Sequence, residues 1–314
     1  MTTNIEIVEV SARDGLQSEK EFVATADKLA LITRAIDAGL RRIEVTSFVN
    51  PKRVPQMADA EELVRMLPAH DDVRYTGLVL NYRGFERARA LELDEIGCAV
   101  VATEAFNKRN QGVEVAETIK QWNQMADDAH TANMQAHIII GAAFGCPFEG
   151  EVSTDQVVNI AKQVAKAGPS EIGLADTIGV AVPKQITEVI NAVKNEVPDI
   201  KLRCHLHNSR NTGFANAIAA IDAGVEVLDA SIGGIGGCPF APHATGNIST
   251  DDLVYMLDRS GIETGVDLNK IIETSLWLET VLNKSVPAQV AKSGIFPPIN
   301  QELRRARNRI WIID

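Results

Sequence analysis

No apolar run in the 314-residue chain approaches the roughly 20 residues needed to cross a membrane, so a helical membrane span is excluded. The N-terminus, MTTNIEIVEVSARDG, lacks a basic segment followed by an apolar stretch, and no secretory leader is expected. Cys98, Cys146, Cys204 and Cys238 lie far apart, without the spacing of a disulfide framework. Reduced thiols in the cytoplasm are the expectation. Positive charge is also in short supply: 31 Lys and Arg stand against 42 Asp and Glu, a net charge of −11. That balance argues against a nucleic-acid partner, and any anionic substrate must be held by a local basic pocket against the overall field. Linkers and low-complexity stretches are missing as well. One domain is expected over 1–292, leaving 293–314 as a tail of unknown role. Its QELRRARNRIWIID is abruptly Arg-rich and reads as a solvated helix, an oligomer contact or an appended remnant.

The chain does contain a regular alternation. Eight short stretches rich in β-branched residues read as strands: 5–10, 41–47, 74–80, 95–102, 136–143, 170–176, 201–207 and 225–231. Between them lie amphipathic segments with helical spacing. STDQVVNIAKQVAKAG offers Ser153 and Thr154 as N-caps, and PKQITEVINAVKNEV carries Pro183 near a helix start. The triplets AGL (38–40), AGP (167–169) and AGV (223–225) recur just before strands, as a repeated αβ turn would. Eight strand–helix units of roughly 30 residues predict an α/β fold, a (β/α)8 TIM barrel, followed by additional C-terminal helices. A doubly wound sheet is the rival, but eight successive units are many for an open sheet.

In such a barrel the chemistry collects at the C-terminal ends of the strands. The stretch RCHLHN (203–208) alternates, so His205 and His207 share one face of their strand. They are either ligands of one divalent ion or one core and one surface imidazole. Asp14, after the first strand, and Asn247, after the eighth, fall on neighbouring strand ends and supply the oxygen donors that Mg²⁺ or Mn²⁺ prefers. Arg13, beside Asp14, is placed to stabilise negative charge developing on a substrate oxygen; a surface salt bridge is the plainer reading. Glu44, inside the second strand, needs a partner, and Arg13 is the obvious one. Asp176 is the polar residue at the end of the sixth strand. In SIGGIGGCPFAPHATGN (231–247), Gly233, Gly234, Gly236 and Gly237 permit backbone motion, and Cys238 follows as a candidate proton donor. This loop lacks the GxGxxG order of a dinucleotide site.

Seven stretches in order resemble the HMG-CoA lyase family of the DRE-TIM metallolyases: VEVSARDGLQSEK, IEVTSFVNPKRVPQM, GCPFEG, ADTIGV, HLH, GGIGGCPFA and GNISTDDLVYML. The likeness runs from about residue 3 to about 292. It implies a carbon–carbon lyase that releases acetyl-CoA and a keto acid such as acetoacetate from a 3-hydroxy-3-methylglutaryl-CoA-like thioester. Asp14, His205, His207 and Asn247 would bind Mg²⁺ or Mn²⁺. Arg13, fixed by Glu44, would stabilise the enolate, and Cys238 would transfer a proton. Asp176, Gln17, Lys20, Ser47 and Asn81 match positions around the substrate. The expected partner is an acyl-CoA, and the expected assembly a homo-oligomer, dimer or tetramer. One departure stands out: family members close to the mitochondrial enzyme read H-x-H-D-T, whereas this chain continues into Asn208, Ser209 and Arg210. The change removes a negative charge near the cation and adds a positive one, which bears on geometry around the site or on the acid group selected. A citramalyl-type or larger 3-alkyl substrate, a Claisen-type synthase and a catalytically silent barrel are the competing expectations.

Overall fold

The computed structural model describes residues 4–237 and 246–297. Among them, the eight strands pair in parallel and in sequence order, and β1 meets β8 to close the barrel. The strands are β1 (Glu6–Glu9), β2 (Arg42–Ser47), β3 (Arg74–Leu78), β4 (Glu95–Val101), β5 (Gln135–Gly141), β6 (Glu171–Asp176), β7 (Lys201–Leu206) and β8 (Val227–Ala230). Around them run α1 (Thr25–Asp37), α2 (Ala60–Met66), α3 (Tyr82–Arg89), α4 (Glu104–Gln111), α5 (Val115–Thr131), α6 (Thr154–Val164), α7 (Pro183–Glu196) and α8 (Gly213–Asp222). Three further helices follow β8: α9 (Thr250–Arg259), α10 (Leu268–Leu282) and α11 (Val290–Ser293). No described helix is long and apolar enough to cross a membrane.

Local rules account for the expected punctuation. Ser153 caps α6 by accepting the Gln156 N–H, and Pro183 opens α7, where its missing N–H costs nothing. Gly39, Gly168 and Gly224, the middle residues of the three recurring triplets, all have positive φ, which glycine adopts without strain. The turn is thus the same device used three times.

The apolar core lies mainly between the strands and the helices, where Ile43, Ile96, Ile138, Ile172, Cys204 and Leu228 pack outward. Among the described residues Val8, Val10 and Val227 form a separate, smaller apolar cluster. Many of the inward-facing strand positions are instead polar or charged. At the floor, Arg42 donates from Nε to Glu95 Oε2 (2.8 Å) and from Nη1 to both oxygens of Glu171 (2.8 and 2.9 Å). Thr76 adds a hydroxyl to Glu95 Oε2 (2.7 Å). Burial alone would raise the Glu95 carboxyl, but His137 and Arg42 outweigh it and hold it well below the usual range. A Cβ on Gly97 would lie 2.8 Å from His137 Nε2, so β4 is bare there because an imidazole from β5 fills the space.

Candidate active site

At the top of β1 the backbone makes a single π-turn, Ser11–Gly15, which turns Arg13 and Asp14 toward the mouth of the barrel. Arg13 is buried and fully engaged: Nε donates to Glu44 Oε2 (2.7 Å) and Nη1 to Asp14 Oδ1 (2.6 Å). The expected Arg13–Glu44 pair is therefore present. Burial opposes the guanidinium charge, but Glu44 and Asp14 overcome it and raise its pKa above the ordinary value. Glu44 Oε1 has no hydrogen-bond partner, so one lone-pair face beside Arg13 stays open.

From β7, His205 and His207 reach the same side, as the alternation requires, and their Nε2 atoms stand 3.1 Å apart. Asp14 Oδ2 lies 3.9 Å from His205 Nε2, and Asn247 Nδ2 donates to Asp14 Oδ2 (2.9 Å). His207 and Asn247 face each other as an isolated bridge between the ends of β7 and the segment after β8. All four expected ligands meet at one place. One ligand atom each from Asp14, His205 and His207 falls within a 4.8 Å cluster.

The donor set fits a divalent cation on two grounds. Adjacent ligands around an octahedral ion at about 2.1 Å are separated by roughly 3.0 Å, close to the spacing of the two Nε2 atoms. Asn247 Oδ1 is buried without a partner, which costs free energy unless something is bound there. The protonation states are mixed. Burial pushes His205 down, but its bond to Asp229 and the nearby Asp14 carboxylate outweigh that and raise the ring above its ordinary value, so a cation must displace a proton there. Burial pushes Asp14 up, but Arg13 and the two imidazoles outweigh it and keep the carboxyl below its usual range. Burial, reinforced by His205, pushes His207 down to about 4 and keeps that ring neutral at pH 7.

The remaining expected residues divide. Asp176, buried at the end of β6, accepts N–H groups from Val180 (2.9 Å) and Ala181 (3.0 Å), and burial raises its carboxyl despite those bonds. Ser47 ends β2 with a buried hydroxyl that has no partner. Gln17 is half-buried just past the π-turn, and Lys20 is exposed. Asn81 is exposed and caps α3 by accepting the Gly84 N–H (3.0 Å). Cys238 and the Arg-rich stretch lie outside the described residues. The three described cysteines are buried, and burial raises Cys98 and Cys204 far above the ordinary thiol range. Arg210, the unexpected cation, donates to the carbonyls of Ile178 (2.9 Å) and Gly179 (3.0 Å), while Asn208 Oδ1 accepts the N–H of Gly213 at the start of α8. Both departures thus serve first to fix loops at the mouth.

Sequence reasoning missed Arg203 and Asp229. Arg203 shares the inward face with His205 and His207, and the period-two alternation of RCHLH already carried that signal. Asp229 stands opposite His205 in the β7–β8 register and accepts its Nδ1 (3.0 Å).

A closed parallel barrel with a carboxylate, two imidazoles and a carboxylate-held arginine gathered at its mouth defines a TIM-barrel metallolyase. The chain belongs to the HMGL-like family, whose model matches residues 4–277. It is 42% identical over 306 residues to an (R)-citramalyl-CoA lyase of Chloroflexus aurantiacus, covering 94% of this chain and 96% of that protein. With the human mitochondrial hydroxymethylglutaryl-CoA lyase it shares 39% over 289 residues, 92% of this chain and 89% of that one. Among solved structures, an HMG-CoA lyase from Acinetobacter baumannii in complex with coenzyme A and 3-methylmalate superposes with a TM-score of 0.91. The identity there is 36%, over 95% of this chain and 97% of that one. The protein is a carbon–carbon lyase acting on a CoA-linked substrate, from a family that uses a divalent metal.

Proposed function

We propose that the protein cleaves 3-hydroxy-3-methylglutaryl-CoA to acetyl-CoA and acetoacetate. The observation that carries this reading is the juxtaposition of the Arg13–Glu44 pair with a cluster of Asp14, His205, His207 and Asn247, in which Asn247 Oδ1 is buried and unpaired. Asp14, His205, His207 and Asn247 would hold Mg²⁺ or Mn²⁺, which when bound lowers the pKa of a chelated hydroxyl and orients it. In the reaction the tertiary hydroxyl loses its proton and its oxygen becomes the keto group of acetoacetate. The electrons of the broken carbon–carbon bond pass to the thioester carbonyl as an enolate, which is then protonated at carbon. Asp176 is the base: its buried carboxyl, raised above the ordinary range, retains affinity for a proton. Arg13, locked by Glu44, faces the enolate oxygen. Cys238 delivers the final proton. Ser47, with its free hydroxyl, Gln17, Lys20 and Asn81 line the substrate side.

A second reading is favoured by the 42% identity to a citramalyl-CoA lyase. Citramalyl-CoA carries the same methyl-bearing tertiary alcohol and differs by one methylene before the free carboxylate; its products are acetyl-CoA and pyruvate. A single methylene is worth only about 1–3 kcal/mol of discrimination, so neither substrate excludes the other by chemistry alone. Chelator-stripped protein reconstituted with Mn²⁺ and given each thioester, with mass-spectrometric product detection, separates them. Faster acetoacetate formation supports the first reading. Pyruvate formation alone transfers the assignment to the second, and thiol release from acetyl-CoA with 2-oxo acids, without cleavage of either thioester, would make the protein a synthase.

A further inference from the structure

Between the floor of the barrel and its mouth lies a chain of buried polar groups that neither the family likeness nor the proposed reaction assigns. Arg203, fully buried in β7, pairs through Nε with Asp229 Oδ1. Its Nη1 donates to His137 Nε2 (3.2 Å). His137 Nδ1 meets Glu95 Oε1 (3.1 Å), and Glu95 is held by Arg42. On the other side, Asp229 Oδ2 lies 3.0 Å from His205 Nδ1.

The chemistry of the donors fixes the direction of this chain. A guanidinium only donates, so His137 Nε2 accepts, and the proton of the neutral ring sits on Nδ1, facing Glu95. A carboxylate paired with Arg203 only accepts, so His205 places its own proton on Nδ1, facing Asp229. In the neutral ring the Nε2 lone pair of His205 is then bare and directed toward His207 and Asp14.

We propose that Asp229 and Arg203 are positioning residues for cation binding: Arg203 fixes the Asp229 carboxylate, which fixes the tautomer and ring plane of His205. Asp229 touches neither substrate nor reacting atoms and works only through His205. The inference rests on the cation-site reading above. Such partners of metal-bound histidines typically change affinity by about 10–100-fold.

The test is Mn²⁺ titration of chelator-stripped wild type, Asp229→Asn and Arg203→Gln by calorimetry, without substrate. The expected result is one site in wild type, with affinity about 10–100-fold weaker in Asp229→Asn and an intermediate loss in Arg203→Gln. Equal affinity in folded wild type and Asp229→Asn overturns the positioning role while leaving the cation site standing. Absence of Mn²⁺ binding in wild type overturns both. Because these variants remove buried charge and can fail to fold, a second measurement uses the unaltered chain. Nitrogen-15 spectra of metal-free, histidine-labelled protein at pH 9, assigned with His205→Gln, are expected to show His205 protonated on Nδ1. His205 protonated on Nε2 instead would overturn the proposal without any variant of Asp229.

Discussion

At the floor of the barrel Arg42 gives all three guanidinium nitrogens to Glu95 and Glu171, and every oxygen of those two carboxylates is taken. At the mouth Arg13 is held by Glu44 and Asp14 in a similar way, yet polar atoms around it are left over. Glu44 Oε1, Ser47 Oγ, His207 Nδ1 and Asn247 Oδ1 are buried and unpaired. Both layers use arginine against carboxylates inside one closed barrel, so burial and charge do not distinguish them. Completeness does. A closed hydrogen-bond network specifies structure, whereas a buried group without a partner costs free energy that something else must offset. Unpaired buried atoms also occur elsewhere, Arg203 Nη2 and Asn123 Oδ1 among them, so those at the mouth support the proposed cation and substrate site only together with the ligand cluster there.

The largest expected effect on the comparison is at the floor. Arg42→Met leaves Glu95 and Glu171 buried without their cation and should lower unfolding free energy by about 3–5 kcal/mol. Urea unfolding checks it; a loss below 1 kcal/mol would mean that the floor is not the structural half. At the mouth, Arg13→Met should instead cost about 10²–10³-fold in turnover, because a positioned charge on the developing enolate is lost. Steady-state kinetics with the preferred thioester decide this, and a change of a few-fold would reduce Arg13 to a structural partner of Glu44.

A smaller and pH-dependent effect belongs to Glu9, outside both layers. Its carboxylate accepts N–H groups from Ser11 (2.8 Å) and Ile232 (3.0 Å) and the Thr250 hydroxyl (2.7 Å), tying β1 to the segment after β8. Burial outweighs these bonds and raises its pKa from 4.5 to about 7. An acid with a raised folded-state pKa stabilises the fold fully below the unfolded value and loses that contribution as pH rises through the folded one. Glu9→Gln should therefore gain on wild type between pH 5 and pH 8, by up to about 3 kcal/mol. A difference that does not vary with pH would show that Glu9 is already ionised throughout.

Much of this was legible in the residues. The eight β-branched runs and three Ala-Gly turns carried the barrel because period-two and helical spacing leave a local signature. Asp14, His205, His207 and Asn247 were legible because strand-end residues of β1, β7 and β8 become neighbours once the barrel closes. Arg203 and Asp229 escaped because an inward arginine reads as a surface residue until the strand opposite is known. Asn208 and Arg210, expected to bear on the geometry around the cation or on the acid group selected, also bond to the Gly213 N–H and to the Ile178 and Gly179 carbonyls, which no local pattern announces.

The contrast between the two halves comes down to where a cation binds. Mn²⁺ titrated into chelator-stripped wild type, the mouth variant Asp14→Ala and the floor variant Glu171→Gln tests it most directly. One equivalent bound by wild type and by Glu171→Gln, with binding lost in Asp14→Ala, is the expected result. Equal binding by all three, or binding lost only in Glu171→Gln, would contradict the assignment of the mouth as the reactive half.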